Sequence, residues 1–192
     1  MTSTADDLKL RLARAADIAP LRELMNAAIS QLQANYLSPE VVAASFSVMG
    51  LDSQLIADGT YFVVEAGARI GGCGGWSRRA TLFGGDHSAD RNEALLDPVR
   101  DPARVRAMYT HPDFVRRGIG RMILDACETA AAAEGFKACE LAATLAGEPL
   151  YSARGYRQIE RFNASTAQGV DVPLIRMGKS LLDPVQTEQF RG

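Results

Sequence analysis

The chain has 192 residues, 47% of them hydrophobic and 23% charged, with a net charge of −2. That size allows one domain with a full apolar core, and the slightly negative balance argues against nucleic-acid binding. Apolar runs are too short to span a membrane, and three scattered cysteines (Cys73, Cys127, Cys139) with two histidines (His87, His111) offer neither a disulfide framework nor metal spacing.

The first residues, Met1-Thr2-Ser3-Thr4-Ala5-Asp6-Asp7, are polar and acidic. They lack the basic start and apolar stretch of a secretory signal, and the three widely spaced cysteines make a reducing cytoplasm the expected setting. Residues 8–14 alternate, with Leu8, Leu10 and Leu12 one way and Lys9 and Arg11 the other, as a half-buried strand does. Asp17 is an N-cap candidate for a helix with Leu21, Leu24, Met25, Ala28 and Leu32 on one face, ending about residue 33. Ser38-Pro39-Glu40 starts a second helix, with a cap, a proline at the first position and an acid near the positive end. A short third helix over 51–57 stops at Gly59.

Residues 60–65 form a strand, and 70–78 pairs with it as a hairpin around Gly67. The second strand carries Gly71, Gly72, Gly74 and Gly75, which marks a bulge or the close approach of another backbone or a ligand. A phosphate loop would need Gly-Lys-Ser/Thr next, and none follows. Residues 80–102 hold turn residues without periodicity and read as a surface insertion of the kind that often serves function.

Residues 103–109 read as another strand. Val115-Arg116-Arg117-Gly118-Ile119-Gly120-Arg121 then opens a helix with Ile119, Met122, Ile123, Ala126 and Ala130 on one face, ending near Gly135. Free N–H groups at a helix start, the helix dipole and glycines that admit close approach together favour a bound anion. Residues 100–121 hold six arginines against two acids, a local balance of +4. The expected guest is a polyanionic small molecule. Residues 136–144 form a strand, 148–153 a short helix closed by Gly155, and 156–162 with 170–177 a final hairpin. The order predicts a mixed α/β or α+β fold in one domain, 1–192, with its core at 8–178, the insertion at 80–102 and a tail at 179–192. Regular strand-helix alternation and Gly-x-Gly-x-x-Gly near the first strand, which a dinucleotide-binding fold needs, are both missing.

Two segments resemble the GNAT superfamily of acyl-CoA-dependent N-acetyltransferases. The run from Tyr109 to Arg121 is similar to its pyrophosphate-binding pattern, Gln/Arg-x-x-Gly-x-Gly/Ala, with Val115 in place of the first Gln or Arg. The run from Leu141 to Tyr156, ending Pro149-Leu150-Tyr151-Ser152-Ala153-Arg154-Gly155-Tyr156, is similar to its segment of a strand, a short helix with an inward tyrosine, and Gly-Phe/Tyr. Thr144 stands near the place of an asparagine often found there.

The resemblance implies αβα layers around a central, mostly antiparallel sheet, splayed between the strands at 103–109 and 136–144 to take acetyl-CoA. Met108, Tyr109 and Thr110 would meet the pantetheine arm, and Val115, Arg116, Arg117, Gly118, Ile119, Gly120 and Arg121 the pyrophosphate. Tyr151 would give a proton to the leaving thiolate, and a backbone N–H near Met108 or Tyr109 would polarise the thioester. The general base stays open among Glu65, Asp86, His87, Glu93, Asp113 and water. Tyr36, Trp76 and Arg78 are expected to line the acceptor site, for which Trp76 packing in the core is the alternative. The resemblance implies N-acetylation of a small-molecule amine without a metal, in a possible homodimer. Acetylation of a protein N-terminus or lysine, and a non-catalytic acyl-CoA-binding module, are the alternatives.

Overall fold

The structure, a computed structural model, describes residues 8–88 and 91–182. The expectations for the first seven residues and for most of the tail lie outside these. Among the described residues seven strands form one sheet: β1 (Leu8–Leu12), β2 (Tyr61–Ala66), β3 (Arg69–Ser77), β4 (Ala103–Thr110), β5 (Ala138–Ala143), β6 (Arg157–Ser165) and β7 (Asp171–Ser180). Their spatial order is β1-β2-β3-β4-β5-β7-β6, and β4 with β5 is the parallel pair among antiparallel neighbours. The helices are α1 (Ile18–Leu32), α2 (Pro39–Val48), α3 (Ser53–Ala57), α4 (Ile119–Ala133) and α5 (Glu148–Ala153). None of them is long and apolar enough to cross a membrane.

The layers follow from the apolar faces. Ile119, Ile123, Leu124, Cys127 and Ala131 of α4 pack on Val64, Trp76 and Val105 of the sheet. Leu21, Leu24, Met25 and Ile29 of α1 cover the other face, against Tyr61, Val63, Cys73 and Tyr109. Ile123 and Leu124 are fully buried, and each such side chain contributes about 1.5–3 kcal/mol. The Ser38 hydroxyl accepts from Val41 N–H at 3.4 Å, and Pro39 takes the first position of α2, as its sequence predicts. Asp17 differs from expectation. Its carboxylate accepts from both terminal nitrogens of Arg11, at 2.7 and 2.9 Å, and from Arg14 N–H, so it ties β1 to the helix start rather than capping α1.

The glycines of β3 are explained by packing. A Cβ at Gly71 would lie 2.8 Å from Ile119 Cδ1, and one at Gly72 2.4 Å from Ile119 Cγ2. A Cβ at Gly74 would meet Met108 Sδ at 2.7 Å and Ile123 Cγ2 at 2.9 Å. The close approach announced by these glycines is that of α4 and of Met108.

A bulge interrupts β4. Gly72 pairs with Thr110 and Cys73 with Tyr109, and pairing then resumes at Gly75 with Arg106. Ala107 and Met108 together oppose Gly74, and Ala107 adopts a left-handed backbone with φ +50°. The Tyr61 hydroxyl, on a side chain only 1% exposed, donates to the Ala107 carbonyl at 2.7 Å. β4 and β5 pair only at Ala103 with Cys139 and Arg104 with Glu140, and then diverge. Glu140 pins the closed end, taking Arg104 at 2.6 Å and Arg176 at 2.7 Å.

Tyr61→Phe is expected to lower the unfolding free energy by about 0.5–1.5 kcal/mol, because the bulged carbonyl loses its donor. Urea unfolding measures this, and an unchanged midpoint and slope would mean the bulge stands without the hydroxyl.

Candidate active site

The divergence of β4 and β5 opens a cavity of about 640 Å³. Residues from Val105 to Thr110 form one wall, and Leu141, Ala142 and Leu174 the other. The turn before α4 lies at one end, with Leu150 and Tyr151 of α5 beside it. The end of α1, the end of α2 and Leu82, Phe83 and Gly84 of the insertion enclose the other.

The turn has the geometry that favours an anion. Arg116 and Gly118 are left-handed, with φ +66° and +82°, a sequence that turns successive N–H groups toward one side. The first helical bond runs from Met122 N–H to the Gly118 carbonyl, so the N–H groups of Ile119, Gly120 and Arg121 have no backbone partner among the described residues. Arg116 and Arg121 are exposed, line the cavity and pair with no acid among the described residues. Three free donors, a helix dipole and two unpaired guanidinium groups suit a pyrophosphate. A Cβ at Gly120 would lie 2.8 Å from Leu150 Cδ2, so that leucine would have to turn aside. Val115, 40% exposed, puts an apolar side chain where the family pattern has a polar one.

Tyr151 is 7% exposed, faces the cavity and stacks edge-on against Tyr156 at 5.9 Å between centroids. Burial pushes its phenol well above the ordinary range, so it stays protonated. Across the cavity, burial likewise raises Tyr109, whose hydroxyl accepts from Gly50 N–H at 2.9 Å. This bond ties the α2–α3 connection to β4.

Behind the end enclosed by α1, α2 and the insertion lies a charge network that sequence reasoning missed. Asp52 is fully buried and takes Arg106 at 2.5 Å and Arg91 at 2.8 Å. Arg106 also donates to the Gly84 carbonyl at 2.7 Å, and burial lowers its pKa from the ordinary value. Asp86 accepts from Ser53 N–H and hydroxyl, both at 2.9 Å. The insertion is thereby fastened to the start of α3. An arginine inside a strand as apolar as 103–109 is the signal that a buried acid must exist. Gln33 was also missed. It stands one four-residue step beyond Ile29 on the buried face of α1, and it lines the cavity.

Of the sequence-predicted residues, the structure brings Tyr36, Met108, Tyr109, Thr110, Val115, Arg116, Gly118, Ile119, Gly120, Arg121 and Tyr151 to one cavity. Arg117 is not part of its lining and lies over the Phe114 ring, 5.4 Å from the centroid. Trp76 and Arg78 are elsewhere. Trp76 is 2% exposed and packs edge-on against Phe136 at 6.0 Å, because its side of β3 faces α4. Arg78 covers that indole and donates to Glu134 at 2.5 Å. The base candidates do not line the cavity either. Glu65 holds Arg11, Asp86 holds Ser53, His87 Nε2 contacts the Ser47 carbonyl, Glu93 is exposed, and Asp113 holds Arg69. Among the described residues no cluster of three His, Cys, Asp or Glu side chains could hold a metal.

Comparison with solved structures finds the same fold widely. A GCN5-related N-acetyltransferase from Rhodopseudomonas palustris superposes with a TM-score of 0.67 at 22% identity, covering 94% of this chain and 99% of that one. YncA, a putative acetyltransferase from Salmonella typhimurium with its cofactor acetyl-CoA, gives 0.60 at 17%, covering 92% and 95%. A ribosomal-protein-alanine N-acetyltransferase from Brucella melitensis gives 0.60 at 16%, covering 90% and 99%. No curated protein sequence matches significantly. The profile of the acetyltransferase (GNAT) domain matches residues 57–158, more than half of the chain. That span takes in the bulged strand, the anion turn and Tyr151, and the chain belongs to the GNAT family as an acetyltransferase that draws its acyl group from acetyl-CoA.

Proposed function

We propose that the chain transfers the acetyl group to the primary amine of a small molecule, by direct attack in a ternary complex. The covered acceptor end carries this reading. Leu82, Phe83 and Gly84 enclose it, Phe83 packs on Phe162 with centroids 5.6 Å apart, and Asp86 and Arg91 fasten the same segment to Ser53 and Asp52. A chamber walled on this side by the insertion suits a compact amine, whereas a peptide acceptor needs an open groove. Acetylation of a protein N-terminus is the second reading, supported by the likeness to the ribosomal-protein-alanine N-acetyltransferase. A homodimer and a cytoplasmic setting belong to the first reading: β6 is the outermost strand with Ile159 exposed, and all three thiols are buried and unbridged.

Acetyl-CoA supplies an activated thioester. The amides of Ile119, Gly120 and Arg121 with the side chains of Arg116 and Arg121 hold its pyrophosphate. The β5-facing edge of β4, open beyond Arg104, orients its arm like an added strand. A backbone N–H at Met108 or Tyr109 polarises the carbonyl. As the amine nitrogen bonds to the carbonyl carbon, the carbon–sulfur bond breaks, the sulfur takes the proton of Tyr151, and the tyrosinate regains a proton from water. The ammonium proton leaves to water, since none of the acidic or histidine candidates lines the cavity.

With purified protein, small primary amines are expected to show kcat/KM at least about tenfold above alanine-starting peptides, read as thiol release from acetyl-CoA. The reverse order sinks the small-molecule reading. Tyr151→Phe is expected to lower kcat by about a hundredfold or more with little change in the KM for acetyl-CoA. An unchanged kcat under conditions where chemistry limits the rate would remove Tyr151 as the acid. The pH profile follows from the direction of its shift. The reactive amine must be neutral and the phenol protonated, and burial moves the phenol upward from 10.0. Activity should therefore rise with pH and show no descending limb up to about pH 10. A fall beginning below about pH 9 would assign the proton to another group.

A further inference from the structure

We infer that the acceptor carries its amine on an apolar body without a second positive charge, and that Gln33 is the side chain that reads its N–H. This rests on the small-molecule reading. The acceptor end is walled by Ile29, Leu32, Val48, Met49, Phe83 and Leu174. No Asp, Glu or His lines the cavity among the described residues. The charged side chain nearest this chamber is Arg106, 5% exposed and already held by Asp52 and the Gly84 carbonyl. A polyamine entering here would desolvate a further ammonium with no counter-charge, beside a buried cation. An apolar body instead gains free energy from every methylene it buries.

Gln33 supplies the polar contact. It follows directly on α1, lines the cavity and is 5% exposed. Its Oε1 is buried with no hydrogen-bond partner. Among the side chains that line the cavity, it alone carries an unpartnered buried oxygen. A folded protein rarely leaves such an atom unpaired, because it costs the full desolvation of the group. The terminal amide torsion is broad and two-fold, so a half-turn presents oxygen or nitrogen to the cavity. Turned toward the cavity, this oxygen can accept an N–H from an acceptor amine bound among these apolar walls. Tyr36, by contrast, is half exposed at the rim, and the Tyr109 oxygen is taken by Gly50 N–H.

Thiol release from acetyl-CoA with the full chain separates the outcomes. The acceptors are hexylamine and phenethylamine, putrescine and spermidine, and an alanine-starting peptide. The two monoamines are expected to exceed the two polyamines in kcat/KM by at least about tenfold. If the polyamines are better, the inference is overturned while the small-molecule reading stands. If only the peptide reacts, that reading itself fails. In Gln33→Leu the acceptor KM should rise about tenfold, with the acetyl-CoA KM within about twofold and the melting temperature not lowered. An unchanged acceptor KM in a folded Gln33→Leu protein overturns the assignment. Gln33→Glu supplies the missing counter-charge, and should raise the ratio of putrescine to hexylamine kcat/KM at least about tenfold. If Gln33→Leu does not fold, that ratio decides, and an unaltered ratio overturns the role of Gln33.

Discussion

The bond from the Tyr61 hydroxyl to the Ala107 carbonyl is the constraint on which the site depends. A left-handed alanine in the middle of a strand is strained by about 1–2 kcal/mol and survives only where its surroundings demand it. Here the demand comes from β2, whose buried tyrosine reaches across β3 to hold the bulged carbonyl at 2.7 Å. The tyrosine is buried, so leaving its hydroxyl unpaired would be costly. The bulge bends β4 away from β5 just beyond the two positions where they pair. The cavity is the consequence: an open strand edge facing a gap.

The neighbouring strand makes a second concession. Glycines weaken β3 as a strand, yet side chains at 71, 72 and 74 would collide with Ile119, Ile123 or Met108. Their absence lets α4 settle directly on the sheet. A helix seated that low brings its N-terminus level with the end of β4, and the free amides of Ile119, Gly120 and Arg121 then border the same cavity as Met108 and Tyr151. The turn before α4 and the Met108–Tyr151 part of the cavity are thus positioned by departures from regular β-structure in two adjacent strands, one by lost side chains and one by an added residue.

Local signals in the sequence carry most of the fold. Alternation marks β1, the hairpin of β2 and β3 turns at Gly67, and Gly118, Gly135 and Gly155 each adopt positive φ where a helix begins or has just ended. Pairings across the chain are not visible in this way. Nothing near Asp52 announces Arg106, and nothing near Tyr61 announces Ala107. Trp76 and Arg78 suit a binding site by residue type, but the pleat of β3 turns the indole toward Phe136, and the guanidinium goes to Glu134. Glu65, Asp86, His87 and Asp113 are engaged by near neighbours in the fold, which residue type cannot reveal. Gln33 was legible in principle: a polar residue on the apolar stripe of α1 needs a reason to be there.

The placement of charge around the acceptor end bears on how an amine loses its proton without a carboxylate at hand. An alkylamine in water holds its proton with a pKa of about 10.4, and each unit by which the site lowers that value is worth about 1.4 kcal/mol. Burial among aliphatic side chains disfavours the ammonium form, and a nearby positive charge disfavours it further. The chamber has both: apolar walls from α1, α2 and the insertion, and the buried Arg106. Asp52 and the Gly84 carbonyl hold that guanidinium in place, so its charge persists in the interior although burial opposes it. On the proposed chemistry the neutral amine is selected by the environment before attack. A base beside the sulfur is then unnecessary, and the proton donor Tyr151 is the one titrating group the transfer itself requires.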